Sequence, residues 1–119
     1  LLPAEKHFGT LNAAQTYVDS VLSGQGLPAV RLRERKGQLR AHWEAPGTIA
    51  LPLPEHGTPW AMREAVLLHE VSHHVAVHRD WCADHGTSYV SRMLEVTERM
   101  LGPEAALALR VAYGESSVV

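Results

Sequence analysis

Apolar positions along the first part of the chain recur at helical spacing. Leu11, Ala14, Val18 and Val21 or Leu22 fall on one face, so Thr10 to Ser23 reads as an amphipathic helix, stopped by Ser23-Gly24-Gln25-Gly26. The period then changes to two. Val30 and Leu32 alternate with Arg31 and Arg33 over Ala29 to Arg35, and Leu39, Ala41 and Trp43 alternate with polar neighbours over Gln38 to Glu44. With Lys36-Gly37 as a turn between them, these two segments predict a hairpin. Pro46-Gly47 breaks the pattern, and Thr48 to Leu53 reads as a third strand whose Pro52, unable to donate to a ladder, places it at a sheet edge. Such an edge can hold an extended substrate by backbone pairing, or simply be blunted against association by its proline.

The second half is helical. Thr58-Pro59 has the form of an N-cap followed by proline at the first helical position, which starts a helix running to about His78. A further helix begins near Asp84 and carries Val90, Met93 or Leu94, Thr97 and Leu101 on one face. Gly102-Pro103 ends it and opens a last helix through Ala112. Helix, small antiparallel sheet, then helices make an α+β fold, and 119 residues without a repeat or linker make residues 1–119 a single domain.

Composition narrows the classes. A net charge of −2 gives no general attraction to nucleic acid or anionic lipid, and no apolar run is long enough to cross a bilayer. Arg31, Arg33, Arg35, Lys36 and Arg40 form a basic stretch that reads as a solvated face, with an acidic partner as the alternative. Cys82 is the single cysteine, which excludes an intramolecular disulfide and a Cys-rich zinc ribbon. With no signal-peptide pattern at the start of the sequence, the expected setting is the reducing cytoplasm. Five of the eight histidines lie between His69 and His85, and such enrichment directs attention to metal.

His69-Glu70-Val71-Ser72-His73 is an H-E-x-x-H sequence inside the predicted helix. At about 100° per residue, His69 and His73 share a face one turn apart, so both imidazoles can hold one Zn²⁺. Glu70 stands beside them as the general base for a water whose pKa the metal lowers to roughly 7. Trp60, Leu67, Leu68, Val71 and Val75 form an apolar stripe on the opposite side, which would bury the back of the helix and turn the histidines to a cleft.

A catalytic zinc takes a third protein ligand and keeps one position open. The candidates are His74, His78, Asp84, His85, Glu95 and Glu98. His74 points about 100° away from His73 and His78 about 140° away, so both read as packing or surface residues. Asp84 suits a helix cap. His85 follows a stretch without helical period, where the chain can turn back over the motif helix. Glu95 and Glu98, at the spacing of gluzincin ligands, are the rivals.

The stretch from Leu67 to Tyr89, L-L-H-E-V-S-H-H followed by D-H-G-T-S-Y, resembles the SprT-like metallopeptidases, in which H-E-x-x-H is followed after a variable loop by H-G-x-x-F. It is similar also to a family of small metallohydrolases from mycobacteria and related actinobacteria, through the Gly102-Pro103-Glu104-Ala105-Ala106 segment. The resemblance implies a minimal zincin-like domain with His85 as third ligand, Gly86 beside it and Tyr89 in place of the phenylalanine. The DNA–protein-crosslink role of some SprT-like enzymes is not carried over, because the sequence offers no ribbon. The function expected is hydrolysis of an amide in a peptide or protein substrate. A regulatory protease specific for one partner and a non-catalytic zinc-stabilised binding module with an inert Glu70 are the alternatives. Cys82 reads as a half-buried thiol. Tyr89 or Tyr113 is open to an oxyanion role, with packing the default.

Overall fold

The computed structural model describes residues 6–37, 40–53, 62–81 and 86–116, with the backbone alone for residue 87 and residues 112–116. In chain order these form α1 (Leu11–Leu22), β1 (Arg31–Glu34), β2 (His42–Glu44), β3 (Thr48–Leu51), α2 (Glu64–Asp80), α3 (Thr87–Leu101) and α4 (Pro103–Ser116). The architecture is α+β. No helix among the described residues is long and apolar enough to cross a membrane.

Helix α1 starts where Thr10 accepts a hydrogen bond from the Ala13 amide at 3.1 Å, an N-cap that satisfies one of the orphan donors of the first turn. It buries Ala14, Tyr17, Val18 and Val21, the face set by its apolar spacing.

The sheet departs from the expected antiparallel hairpin. Its order is β1-β3-β2, with β1 and β3 parallel and β2 and β3 antiparallel. The chain does turn at Lys36-Gly37, where Gly37 takes φ 75°, but it returns wide enough to leave one strand position between β1 and β2. Strands in a sheet lie about 4.8 Å apart, so that gap admits one further strand, and β3 fills it after the tight Ala45–Gly47 turn. Thr48–Leu51 is therefore the central strand and not an edge, so neither the substrate-pairing nor the proline-blunted reading of that edge applies. Pro52 is compatible with this because the strand ends one residue before it. In register, Leu32, Ile49 and Trp43 lie side by side and face the helices.

Helix α2 packs Leu67, Leu68, Val71 and Val75 fully out of solvent, as the apolar stripe predicts; Trp60 lies outside the described residues. Each such side chain is worth about 1.5–3 kcal/mol of burial. Helix α2 begins at Glu64, and Thr58-Pro59, where the sequence places its start, lies outside the described residues. Arg63 is extended and forms an isolated antiparallel bridge with His7, with the Phe8 amide donating to the Met62 carbonyl at 2.8 Å and the Glu64 amide to the Lys6 carbonyl at 2.9 Å. That pairing uses the backbone an earlier helical turn would need. Glu64, buried in the first turn, accepts from the Lys6 amide at 3.0 Å and from the Tyr17 hydroxyl. Burial and the facing carboxylate hold the Tyr17 phenol well above its ordinary pKa, so it remains a donor.

Helix α3 opens at Gly86 rather than at Asp84, which lies outside the described residues, and ends at Gly102 with φ 96°, the left-handed conformation that favours glycine. It lays Tyr89, Val90, Met93 and Val96 against α2, and α4 packs in turn on α3.

His74 joins α2 to the sheet. Its Nε2 donates to the Pro28 carbonyl at 2.7 Å and its Nδ1 accepts from the Trp43 indole at 3.2 Å. An indole N–H can only donate, so the ring is the neutral Nε2–H tautomer. Gly47 gives the ring room, since a Cβ there would lie tightly against His74 Cε1 at 3.0 Å and the Ala29 carbonyl at 3.1 Å. Burial lowers the His74 pKa below its ordinary 6.5. Its contribution is complete above that pH and is lost as acid protonates the unfolded chain and then the native ring. His74→Ala should lower stability by roughly 2–3 kcal/mol at neutral pH. Urea midpoints should also fall less steeply below pH 6.5 in the variant than in the wild type; equal acid slopes would assign the titration to another group.

Candidate active site

Helix periodicity delivers His69 and His73 to one wall of a cleft of about 600 Å³. Their ring centroids are 5.2 Å apart and nearly perpendicular, as two imidazoles one turn apart would be. The buried face of α2 fixes this direction: with Leu67, Leu68, Val71 and Val75 in the core, positions 69 and 73 are turned outward. Arg63, Ala65 and Val66 from the beginning of α2 continue the wall, and Arg40, Ala41 and His42 from the approach to β2 form the other side.

Glu70 lies between the histidine wall and β2, with 8% of its surface exposed. Its Oε1 accepts the Trp43 backbone N–H at 2.9 Å, and its Oε2 is 4.0 Å from His69 Nε2. Burial pushes the Glu70 carboxyl up to about 7, against the opposing influence of the Trp43 amide and the Arg35 guanidinium. Desolvation wins because one amide hydrogen bond and one cation's field replace a full hydration shell. A carboxyl in this range can hold or release a proton near neutral pH.

Tyr89 supports both histidines from α3. It is 1% exposed, with its ring centroid 4.5 Å from that of His73 and 5.5 Å from that of His69. Its hydroxyl donates to the His69 carbonyl at 3.1 Å, which ties α3 to the backbone of the motif. These contacts give Tyr89 a packing and positioning role beside the two histidines.

The remaining candidates are dispersed. His74 and His78 face the sheet as the helix angles require, His78 Nε2 donating to the Pro46 carbonyl at 2.6 Å. Glu95 is exposed and pairs with Arg92 at 3.2 Å; Arg92 also grips Asp80 at 2.8 Å, which places this network at the far end of α2 from His69. Glu98 is exposed on the same helix. Cys82, Asp84 and His85, and the side chain of Tyr113, lie outside the described residues. Among the described residues no group of three His, Cys, Asp or Glu side chains is placed to hold a metal ion. His69 and His73 fit two nitrogen donors of a zinc site in type, mutual placement and access to the cleft.

Sequence reasoning missed Trp43, Arg40, His42 and Arg63. No local pattern marks them, because they reach the motif through the order of the sheet and the late start of α2. Compared with protein-family models, curated proteins and solved structures, the chain matches none.

A raised carboxyl pKa destabilises the native state as pH climbs. Between the ordinary 4.5 and about 7 the folded protein holds a proton the unfolded chain has released, so stability falls across that window. Glu70→Gln removes this titration while keeping an acceptor for Trp43. In metal-free protein the variant should be the more stable above pH 7, by up to about 3 kcal/mol, and the difference should shrink toward pH 4.5. A pH-independent difference in urea denaturation would show that Glu70 is ionised throughout.

Proposed function

We propose that this chain is a zinc-dependent hydrolase, most simply a peptidase, built on a minimal zincin-like domain and related to the SprT-like metallopeptidases. The observation that carries the reading is the joint placement of His69 and His73 on the cleft wall with the buried Glu70 carboxyl between them and β2. The resemblance of Leu67 to Tyr89 to the SprT-like motif supports it, and His85 is the third ligand that goes with it.

When bound, zinc supplies a Lewis acid for the substrate carbonyl and acidifies a water. His69 and His73 would hold the zinc through their imidazole nitrogens from the cleft wall. Glu70 divides its two oxygens between tasks. Oε1 stays on the Trp43 N–H, which fixes the carboxylate plane, and Oε2 faces the His69 side as the atom that takes a proton from water. The same oxygen then returns the proton to the leaving amine, the second half of acid–base catalysis by one group. Tyr89 keeps the two rings in place, so little reorganisation is needed during the reaction. The position of Glu70 in the cleft lining, with Oε2 turned toward His69, favours a working base over an inert neighbour of the metal.

Glu70→Gln should retain zinc and the fold while peptide hydrolysis, followed with a quenched fluorescent casein digest, falls by roughly 10²–10⁴-fold. Turnover equal to the wild type would place the base elsewhere, and loss of metal would make Glu70 structural. For the third ligand, His85→Ala should release zinc to a mild chelator orders of magnitude faster than His78→Ala, Glu95→Ala or Glu98→Ala. If a glutamate variant releases it instead, the SprT-like placement fails.

A further inference from the structure

The basic stretch around β1 does not act as one face. Arg33 is engaged by Glu44 at 2.9 Å across the central strand. The Arg35 guanidinium donates to the Arg40 carbonyl at 2.7 Å. Arg40 also lines the cleft, as does Arg63 at the start of α2. Two arginines thus line a concave site in which Glu70 is the one carboxylate among the described lining residues.

Concave walls of low dielectric concentrate the field of such charges, unlike a flat solvated surface where exposed ion pairs contribute little. Arginine is the side chain suited to holding a carboxylate through two parallel hydrogen bonds. Ala41, Ala65 and Val66 supply apolar lining near the arginines, suited to a short aliphatic stem. The volume, about 600 Å³, falls within the roughly 300–1,000 Å³ of sites that take small ligands or a few residues of peptide.

We propose that the cleft selects peptide substrates bearing a carboxylate within one or two residues of the scissile amide, with Arg40 and Arg63 as the specificity-determining residues. This rests on the hydrolase reading for the position of the amide, beside His69 and Glu70. The carboxylate has two sources, an aspartate or glutamate side chain or the free C-terminus of the peptide, and both present the same group to the arginines.

Binding tests the inference apart from catalysis. Fluorescein-labelled octapeptides with a central Glu, or Gln in its place, each with a free or amidated C-terminus, are titrated into zinc-supplemented full-length Glu70→Gln protein. Fluorescence anisotropy should show at least one acidic peptide binding about tenfold tighter than its neutral counterpart. Arg40→Gln should bring the pair to within about twofold, and about 0.5 M salt should narrow the gap in the parent. Preference for the central Glu assigns a side-chain carboxylate; preference for the free end alone assigns the C-terminus. Equal affinities throughout, or a preference that survives both Arg40→Gln and Arg63→Gln in variants with native circular dichroism, would overturn the proposal. Acidic preference with no peptide hydrolysis by the wild type would defeat the hydrolase reading and leave the ligand class standing. Hydrolysis of Glu and Gln peptides at equal kcat/KM, with equal binding, would defeat this inference alone.

Discussion

Trp43 donates twice to helix α2, its backbone N–H to Glu70 Oε1 and its indole N–H to His74 Nδ1, and the site depends on that double attachment. The first bond holds the carboxylate at the cleft, and the second holds the helix against the sheet through a ring that also donates to Pro28. Without the strand, Glu70 would be a solvated helix residue with an ordinary pKa. With it, desolvation and a fixed orientation arise together. The cost of keeping a carboxyl out of water is then borne by the packing of α2, whose Leu67, Leu68, Val71 and Val75 are fully buried.

The same helix separates four histidines into two pairs by geometry alone. His69 and His73 are one turn apart, as are His74 and His78, and the pairs are rotated from one another by about 140°. The first pair meets Tyr89 and the cleft; the second meets Trp43, Pro28 and Pro46. Chemically identical side chains therefore hold different roles: one pair is accessible for ligation, the other locks a strand. The arginines divide in a similar way, Arg33 to an ion pair and Arg40 to the cleft.

Much of this was legible in the sequence where the determining contacts are local. The face of α1, the stop at Gly102-Pro103, the buried back of α2 and the divergence of His74 and His78 from His69 and His73 all follow from helical period and capping. Strand partners did not, because alternation over residues 29–35 and 38–44 identifies extended segments without saying which of them pair. The insertion of β3 between β1 and β2 is a tertiary choice, stabilised by the Leu32, Ile49 and Trp43 row against the helices. The start of α2 was misplaced for a comparable reason: the His7–Arg63 bridge spans most of the first half of the chain, and a local cap signal at Thr58-Pro59 carries no information about it. Trp43, Arg40 and Arg63 were invisible as site residues on the same grounds.

On the proposed function, His69 and His73 are half of a zinc centre served by Glu70. Elemental analysis of the protein purified without added metal, beside a His69→Ala/His73→Ala double variant of unchanged circular dichroism, addresses it most directly. About one zinc per wild-type chain and almost none in the double variant are expected. A wild-type protein that carries no zinc and takes up none when it is supplied, or a double variant that keeps it, would contradict the account.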